Sequence, residues 1–165
     1  MKLNNHIIHN LDFAKKKLYL AVDVGLNECT RLTPLLHSPS QDSTNFMLRY
    51  TMQGIVDEFE RAQLELHIAT RLPMGCQRCL NLMMLELNLS YIYEISASES
   101  IDNVESDDLD WLEIDPAMNI LALVEDEVIA AIPIAPMHVG ECVNLKLESG
   151  DKVNPFAALK DIVKK

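Results

Sequence analysis

From Thr44 to Ser96 apolar and polar residues recur with a period of two, and only a pleated strand turns that spacing into a face. The alternation starts in Asn45–Met52 and resumes where Leu64, Leu66, Ile68 and Leu72 alternate with Glu65, His67 and Ala69. In the third run Leu85, Leu87, Leu89, Tyr91 and Tyr93 share one face, while Leu80, Leu82, Met84, Glu86 and Asn88 share the other. The breaks are Gly54–Glu60 and Pro73–Cys79, both built of turn-forming or polar residues. Three such runs joined by short breaks predict an antiparallel meander. The second break contains Cys76-Gln77-Arg78-Cys79, so this CxxC pair is expected at or beside a hairpin tip.

The flanks carry helix signals. Leu11–Leu18 suits a short helix, with Asp12 near its start and Lys15, Lys16 and Lys17 toward its C-terminal end, where cations suit the dipole. Tyr19–Val24 alternates weakly and predicts a strand. Leu32–Leu36 opens another short helix that Pro39 limits. Residues 97–110 (ASESIDNVESDDLD) are rich in serine and acid and are expected to form an exposed, mobile loop, followed by a short strand at Trp111–Ile114. Trp111 has a large apolar surface and is expected to serve in core or strand packing. Asn119 is a favoured N-cap, and Leu121, Val124, Val128 and Ala131 recur at helical spacing until Pro133, which cannot continue a helix. Asn154-Pro155-Phe156 pairs an N-cap residue with proline at the first helical position, predicting a C-terminal helix striped by Phe156, Leu159 and Val163. The expected fold is α+β and spans residues 1–165 as one domain. An antiparallel meander of three or more strands packs with a central amphipathic helix (119–132) and a short C-terminal helix (155–164), and residues 1–40 form a less regular helix and strand segment.

The chain has 165 residues, enough for one domain with its own core, and 48% of them are apolar. The first residues lack an apolar signal-peptide core, and the longest uncharged apolar run, Val128–Gly140, is too short to span a bilayer and holds two prolines. A cytoplasmic protein with no membrane association is expected. Net charge is −11, and its distribution is uneven. Between Cys79 and Leu145 there is no Lys or Arg, whereas the same 67 residues hold 14 Asp or Glu. Phosphate binding depends on cations that displace counterions, so this half is a poor nucleic-acid surface. An acidic field attracts a basic partner and speeds its encounter, and it also serves simply to keep a protein soluble. The Lys15–Lys17 triplet fits a solvated helix end or an RNA contact.

Two half-sites can carry chemistry. Cys76 and Cys79 are spaced so that both thiolates can turn toward one tetrahedral ion, and His138-x3-Cys142 supplies a second half, giving Cys3His for zinc. The alternative is four ordinary side chains near a turn. Cys29 is left over and suits a small buried hydrophobe. Thioredoxin-like redox chemistry at CxxC calls for a βαβ setting, and the flanks here are strands. Glu125, Asp126 and Glu127 follow one another on the predicted helix and point about 100° apart, so they do not converge on one ion. They suit an outward acidic face that docks basic groups of a partner. There is no Ser/His/Asp arrangement, no Gly-rich phosphate loop and no HExxH, so an enzyme is not expected.

Three segments together resemble the bacterial YceD family, the large ribosomal RNA subunit accumulation proteins. They are CQRCL at 76–80, VEDEVIAAIPIAPMH at 124–138 leading to Cys142, and NPFAALKDIV at 154–163, and the likeness runs from about residue 45 to the end. The residues that carry it are Cys76, Arg78, Cys79, Glu125, Asp126, Glu127, Pro133, Pro136, His138, Cys142, Asn154, Pro155 and Phe156. Some members of that family bear further cysteines after the histidine, where this chain has only Cys142. The resemblance implies a part in the synthesis, processing or stability of large-subunit ribosomal RNA, and it implies no enzymatic activity or small-molecule substrate. A basic ribosomal protein or large-subunit assembly factor is the expected partner. The other readings are a direct RNA binder or RNA-processing cofactor using residues 1–80, which hold nine of the 14 basic residues, and a zinc-stabilised binding module.

Overall fold

The computed structural model describes residues 6–37, 46–97, 110–140 and 142. In chain order the elements are β1 (Ile7–Ile8), α1 (Asn10–Lys15), β2 (Tyr19–Gly25), short 3-10 turns at Leu26–Glu28 and Thr33–Leu35, β3 (Met47–Val56), β4 (Ala62–Gly75), β5 (Leu82–Ser96), β6 (Asp110–Glu113), β7 (Met118–Asn119) and α2 (Ile120–Ala131). The protein is α+β. A five-stranded sheet in the order β2-β3-β4-β5-β6 carries most of the structure, and β1 pairs with β7 in a separate two-stranded ladder.

The period-two pattern sets which face of the sheet is buried. Leu48, Tyr50 and Met52 of β3 and Leu64, Leu66, Ile68 and Leu72 of β4 are fully or almost fully buried. Leu85, Leu87, Leu89 and Tyr91 of β5 pack against that core, with Tyr93 inside it. The opposite face is solvated and laced by pairs directly across the ladder. Arg49 sits opposite Asp23 and Arg71 opposite Glu86, at N–O separations of 2.6 Å and 2.9 Å.

The meander differs from the sequence expectation at β6, at both breaks (β4 continues through Pro73 to Gly75) and at Leu80. Four strands, β2 to β5, run antiparallel in sequence, but β6 pairs parallel to β5, so the chain must cross over between them. The first break is also shorter than expected. β3 continues through Gly54 to Val56, and the turn is Asp57–Glu60. Asp57 organises it: its Oδ1 accepts from Phe59 N at 2.9 Å and Arg61 N at 2.8 Å, and its Oδ2 pairs with Arg61. Leu80, expected in β5, instead adopts a left-handed conformation with φ +62° in the β4–β5 turn. Trp111 is half-buried on β6 at the sheet edge and lies outside the core.

Asn119 caps α2 as expected, whereas α1 spans Asn10–Lys15 instead of the expected Leu11–Leu18 and takes its cap from His9. His9 caps α1, its side chain accepting from Asp12 N, and Asn119 caps α2, its Oδ1 accepting from Ala122 N at 3.3 Å. Ile132, held extended before Pro133, closes α2. Ile120, Val124 and Val128 of α2 join the core with Phe13 and Ala14 of α1. Cys29 is buried with them, and burial raises its thiol pKa to about 12. The segments 98–109 and 143–165 lie outside the described residues, so the expected acidic loop and the C-terminal helix with Asn154, Pro155 and Phe156 do too. Among the described residues no helix is long and apolar enough to cross a membrane.

Gly54 is where α1 meets the sheet. A Cβ there would sit 2.4 Å from the Phe13 carbonyl oxygen and 2.7 Å from Ala14 Cα, both main-chain atoms that cannot swing aside. Gly54→Ala should therefore lower stability by about 1–3 kcal/mol, as overpacking does. A urea unfolding series compared with the parent chain measures it, and an unchanged midpoint would show that α1 is not seated on β3.

Candidate metal centre

The β4–β5 turn and the segment after α2 meet at one place. Cys76 follows the last residue of β4 and is fully buried; its N–H donates to Asn81 O, and its carbonyl accepts from Leu80 N at 2.8 Å. Left-handed Leu80 closes this turn and leaves Cys79 beside Cys76. From the other side, Pro133 ends α2 and the chain runs to buried Pro136, whose carbonyl accepts from Gln77 N at 2.8 Å. That single backbone bond locks the two segments together, and it brings His138 and Cys142 over the CxxC turn.

The four candidate ligands converge. Their ligating atoms all lie within 4.8 Å of one another. Cys76 Sγ is 3.7 Å from Cys142 Sγ, Cys79 Sγ is 3.5 Å from His138 Nδ1, and Cys142 Sγ is 3.7 Å from His138 Nδ1. With metal–sulfur bonds of about 2.3 Å and metal–nitrogen bonds of about 2.0–2.1 Å, a tetrahedral zinc ion requires edges of about 3.8 Å between sulfurs and about 3.6 Å between sulfur and nitrogen. The three measured edges match. The orientation of His138 fits as well: its Nε2–H donates to Leu82 O at 3.2 Å, which leaves the Nδ1 lone pair facing the sulfurs. Arg78 Nε donates to Cys142 Sγ at 2.9 Å, and its Nη2 donates to Gly140 O, so a fixed cation lies against the thiolate cluster. The arrangement can hold a metal ion.

The electrostatics favour thiolate at Cys76. Burial opposes ionisation, but the backbone N–H groups of His138, Cys79 and Arg78 and the Cys79 thiol together pull the Cys76 pKa down to about 5. Burial pushes the Cys142 thiol up, and Arg78 works against that rise.

The acidic triplet takes a different place from the one expected. Glu125 is only 5% exposed, so it is not part of an outward face. Its Oε1 accepts from Arg31 N at 2.9 Å and Leu32 N at 3.2 Å and so caps the start of the 3-10 turn at Thr33–Leu35. Glu125 neighbours Val124 and stands four residues after Leu121, which puts it on the border of the buried stripe. Asp126 is exposed and pairs with Arg31. Glu127 is half-buried beside the Tyr91 and Tyr93 hydroxyls, whose pKa values are raised by burial first and then by this carboxylate. The backbone acceptor role of Glu125 has no signature in sequence, because its donors lie more than ninety residues away.

An α+β sheet protein with a Cys3His cluster clamped between a hairpin turn and a post-helical segment is thus defined. The family model described as large ribosomal RNA subunit accumulation protein YceD matches residues 64–163, which include both half-sites, and the chain belongs to that family. The family's name ties it to the accumulation of large-subunit ribosomal RNA, a part of ribosome biogenesis. No solved structure matches the chain.

Removing the Glu125 carboxylate should leave the Arg31 and Leu32 amides without an acceptor in a buried place. Glu125→Ala should cost about 1–3 kcal/mol and Glu125→Gln less, because the amide oxygen still accepts. Asp126→Ala, which breaks a half-exposed pair, should cost under about 1 kcal/mol. Thermal and urea unfolding of the three variants test this order. Equal losses for Glu125→Ala and Asp126→Ala would sink the capping role.

Proposed function

We propose that this chain is a non-enzymatic accessory factor for large-subunit ribosomal RNA, in its synthesis, processing or stability, and that it works through a basic protein partner. The family assignment supports the biological setting, and one observation about charge supports the mode of action. Eight Lys and Arg fall among the described residues: Lys15, Lys16, Lys17, Arg31, Arg49, Arg61, Arg71 and Arg78. Lys16, Arg31, Arg49, Arg61 and Arg71 are each within salt-bridge distance of a carboxylate of the same chain. Arg78 is committed to Cys142 and Gly140. Subtracting these six from eight leaves Lys15 and Lys17 without such a partner among the described residues. RNA affinity comes from cations free to replace counterions on phosphate, and the described residues offer only these two.

Exposed carboxylates gather at the β6 end of the sheet. Asp110, Glu113 and Asp115 are exposed with Asp126, within the long stretch that holds no Lys or Arg. Around the Cys3His cluster Leu80, Leu82, Ile134, Met137 and Val139 point outward. Exposed apolar side chains suit a protein surface better than a phosphate backbone, and the net charge of −11 favours a basic one. In this reading the cluster holds zinc through Cys76, Cys79, His138 and Cys142. Such an ion, when bound, would cross-link the hairpin turn to the post-helical segment and keep the exposed loops in one arrangement.

Two experiments test the proposal. Affinity purification under native conditions should enrich a basic ribosomal protein or a large-subunit precursor, while filter binding of bare ribosomal RNA should remain weak at low salt. Tight RNA binding that falls steeply with added salt would overturn the protein-mediated mode. Protein purified without chelator should carry a single zinc ion per chain, and Cys76→Ser or chelation should remove the ion and lower Tm. Parent protein that carries no metal after incubation with zinc, with Cys76→Ser melting at the same temperature, would eliminate the zinc role.

A further inference from the structure

The two edges of the sheet are protected very differently. β6 is four residues long and carries Asp110 and Glu113, features that discourage strand addition. β2 is seven residues long, contains no proline, and its one charge, Asp23, is already tied to Arg49. The hydrogen-bond alternation fixes which of its backbone groups are free. Gly54 N donates to Leu18 O and Leu26 N donates to Phe46 O, so the even-numbered residues bond to β3. The N–H and C=O groups of Tyr19, Ala21 and Asp23 therefore point away from the sheet, and no strand pairs with them among the described residues.

An apolar groove of about 280 Å³ runs along the same edge, lined by Ile8, Phe13, Leu18, Leu20 and Val22, with His6 and Tyr19 at its rim. Leu18 and Tyr19 are strongly exposed there. Charge runs along the edge in one direction: Lys15 to Lys17 stand before β2, whereas Asp23 and Glu28 stand at and beyond its end. A strand of the same sequence laid antiparallel would put each basic end beside the acidic end of the other.

We propose that β2 is a dimerisation edge on which a second copy of this chain adds its own β2 across a two-fold axis at Ala21. This register sets Ala21 opposite Ala21 of the second copy, Leu20 opposite Val22 and Tyr19 opposite Asp23, and it joins two five-stranded sheets into one. The outward backbone groups of Tyr19, Ala21 and Asp23 meet their counterparts as hydrogen-bonded pairs. Leu20 and Val22 of both copies cover the groove, and Asp23 does not face itself. A two-fold interface of this kind is closed, so it yields a dimer and not a fibre.

Sedimentation equilibrium of the full chain over a concentration series is the primary test, with Ala21→Pro and Ala21→Cys as variants. The parent should sediment at twice the chain mass. Ala21→Pro should sediment as a monomer with an unchanged circular dichroism spectrum, because its N–H faces away from β3 and the existing ladder loses no bond. Paired residues in this setting have Cα atoms about 5.5 Å apart, within disulfide reach. Ala21→Cys should therefore form a covalent dimer under mild oxidation, whereas the parent and Tyr19→Cys should not. A parent that is monomeric at every attainable concentration would overturn the proposal. So would a dimer in which Ala21→Cys fails to cross-link, whether or not the proline variant folds.

Discussion

The β4–β5 ladder is the constraint on which the rest of the molecule depends. Its register runs unbroken from Gln63 opposite Glu94 to Gly75 opposite Leu82. At about 3.3 Å per residue that is a rod of about 40 Å. It fixes the distance between two ends with different chemistry. At one end the turn after Gly75 presents Cys76 and Cys79. At the other, Arg61 Nη1 reaches the buried Glu94 carboxylate at 3.0 Å and stacks over exposed Phe59, while α1 sits on Gly54. Because every register pair is antiparallel and in phase, a slip of one residue would expose the whole apolar face, so the spacing of the two ends is as firm as the core itself.

Charge is used in two ways. On the solvated face of the sheet, cross-strand pairs such as Asp23 with Arg49 neutralise cations without adding much stability, since exposed pairs contribute little. Their consequence is for recognition, because a guanidinium already holding a carboxylate has less to offer a phosphate. Glu125 and Arg78 act internally. Glu125 accepts two backbone N–H groups near α2, and Arg78 donates to a sulfur and a carbonyl at the Cys3His cluster. Both side chains are ionic, and both are spent on holding loops in place.

The fold was legible wherever the chain repeats a short period. The phase of β3, β4 and β5, the Asn119 cap, the stop before Pro133 and the hairpin position of CxxC all follow from local spacing and local backbone chemistry. The misplacements share a cause. Gly54 resembles a turn residue until α1 is known to press against it, and Leu80 continues the apolar alternation until the Cys76 turn demands a left-handed residue. The parallel pairing of β6 depends on a crossover whose path no local pattern specifies.

By itself the sequence determined the α+β composition, the alternating faces of the long strands, the ends of α2 and which four Cys and His residues form the candidate cluster, because each depends on residues near one another in the chain. Only the tertiary structure decided that the two half-sites, with 58 residues between Cys79 and His138, meet at tetrahedral separations. It alone moved Glu125 from an expected docking face to a buried cap, and it alone left the edge of β2 open beside an apolar groove. Those outcomes depend on the long β4–β5 ladder, on the backbone bond from Gln77 to Pro136 and on which strand ends the sheet. Such long-range contacts leave no periodic trace in the chain.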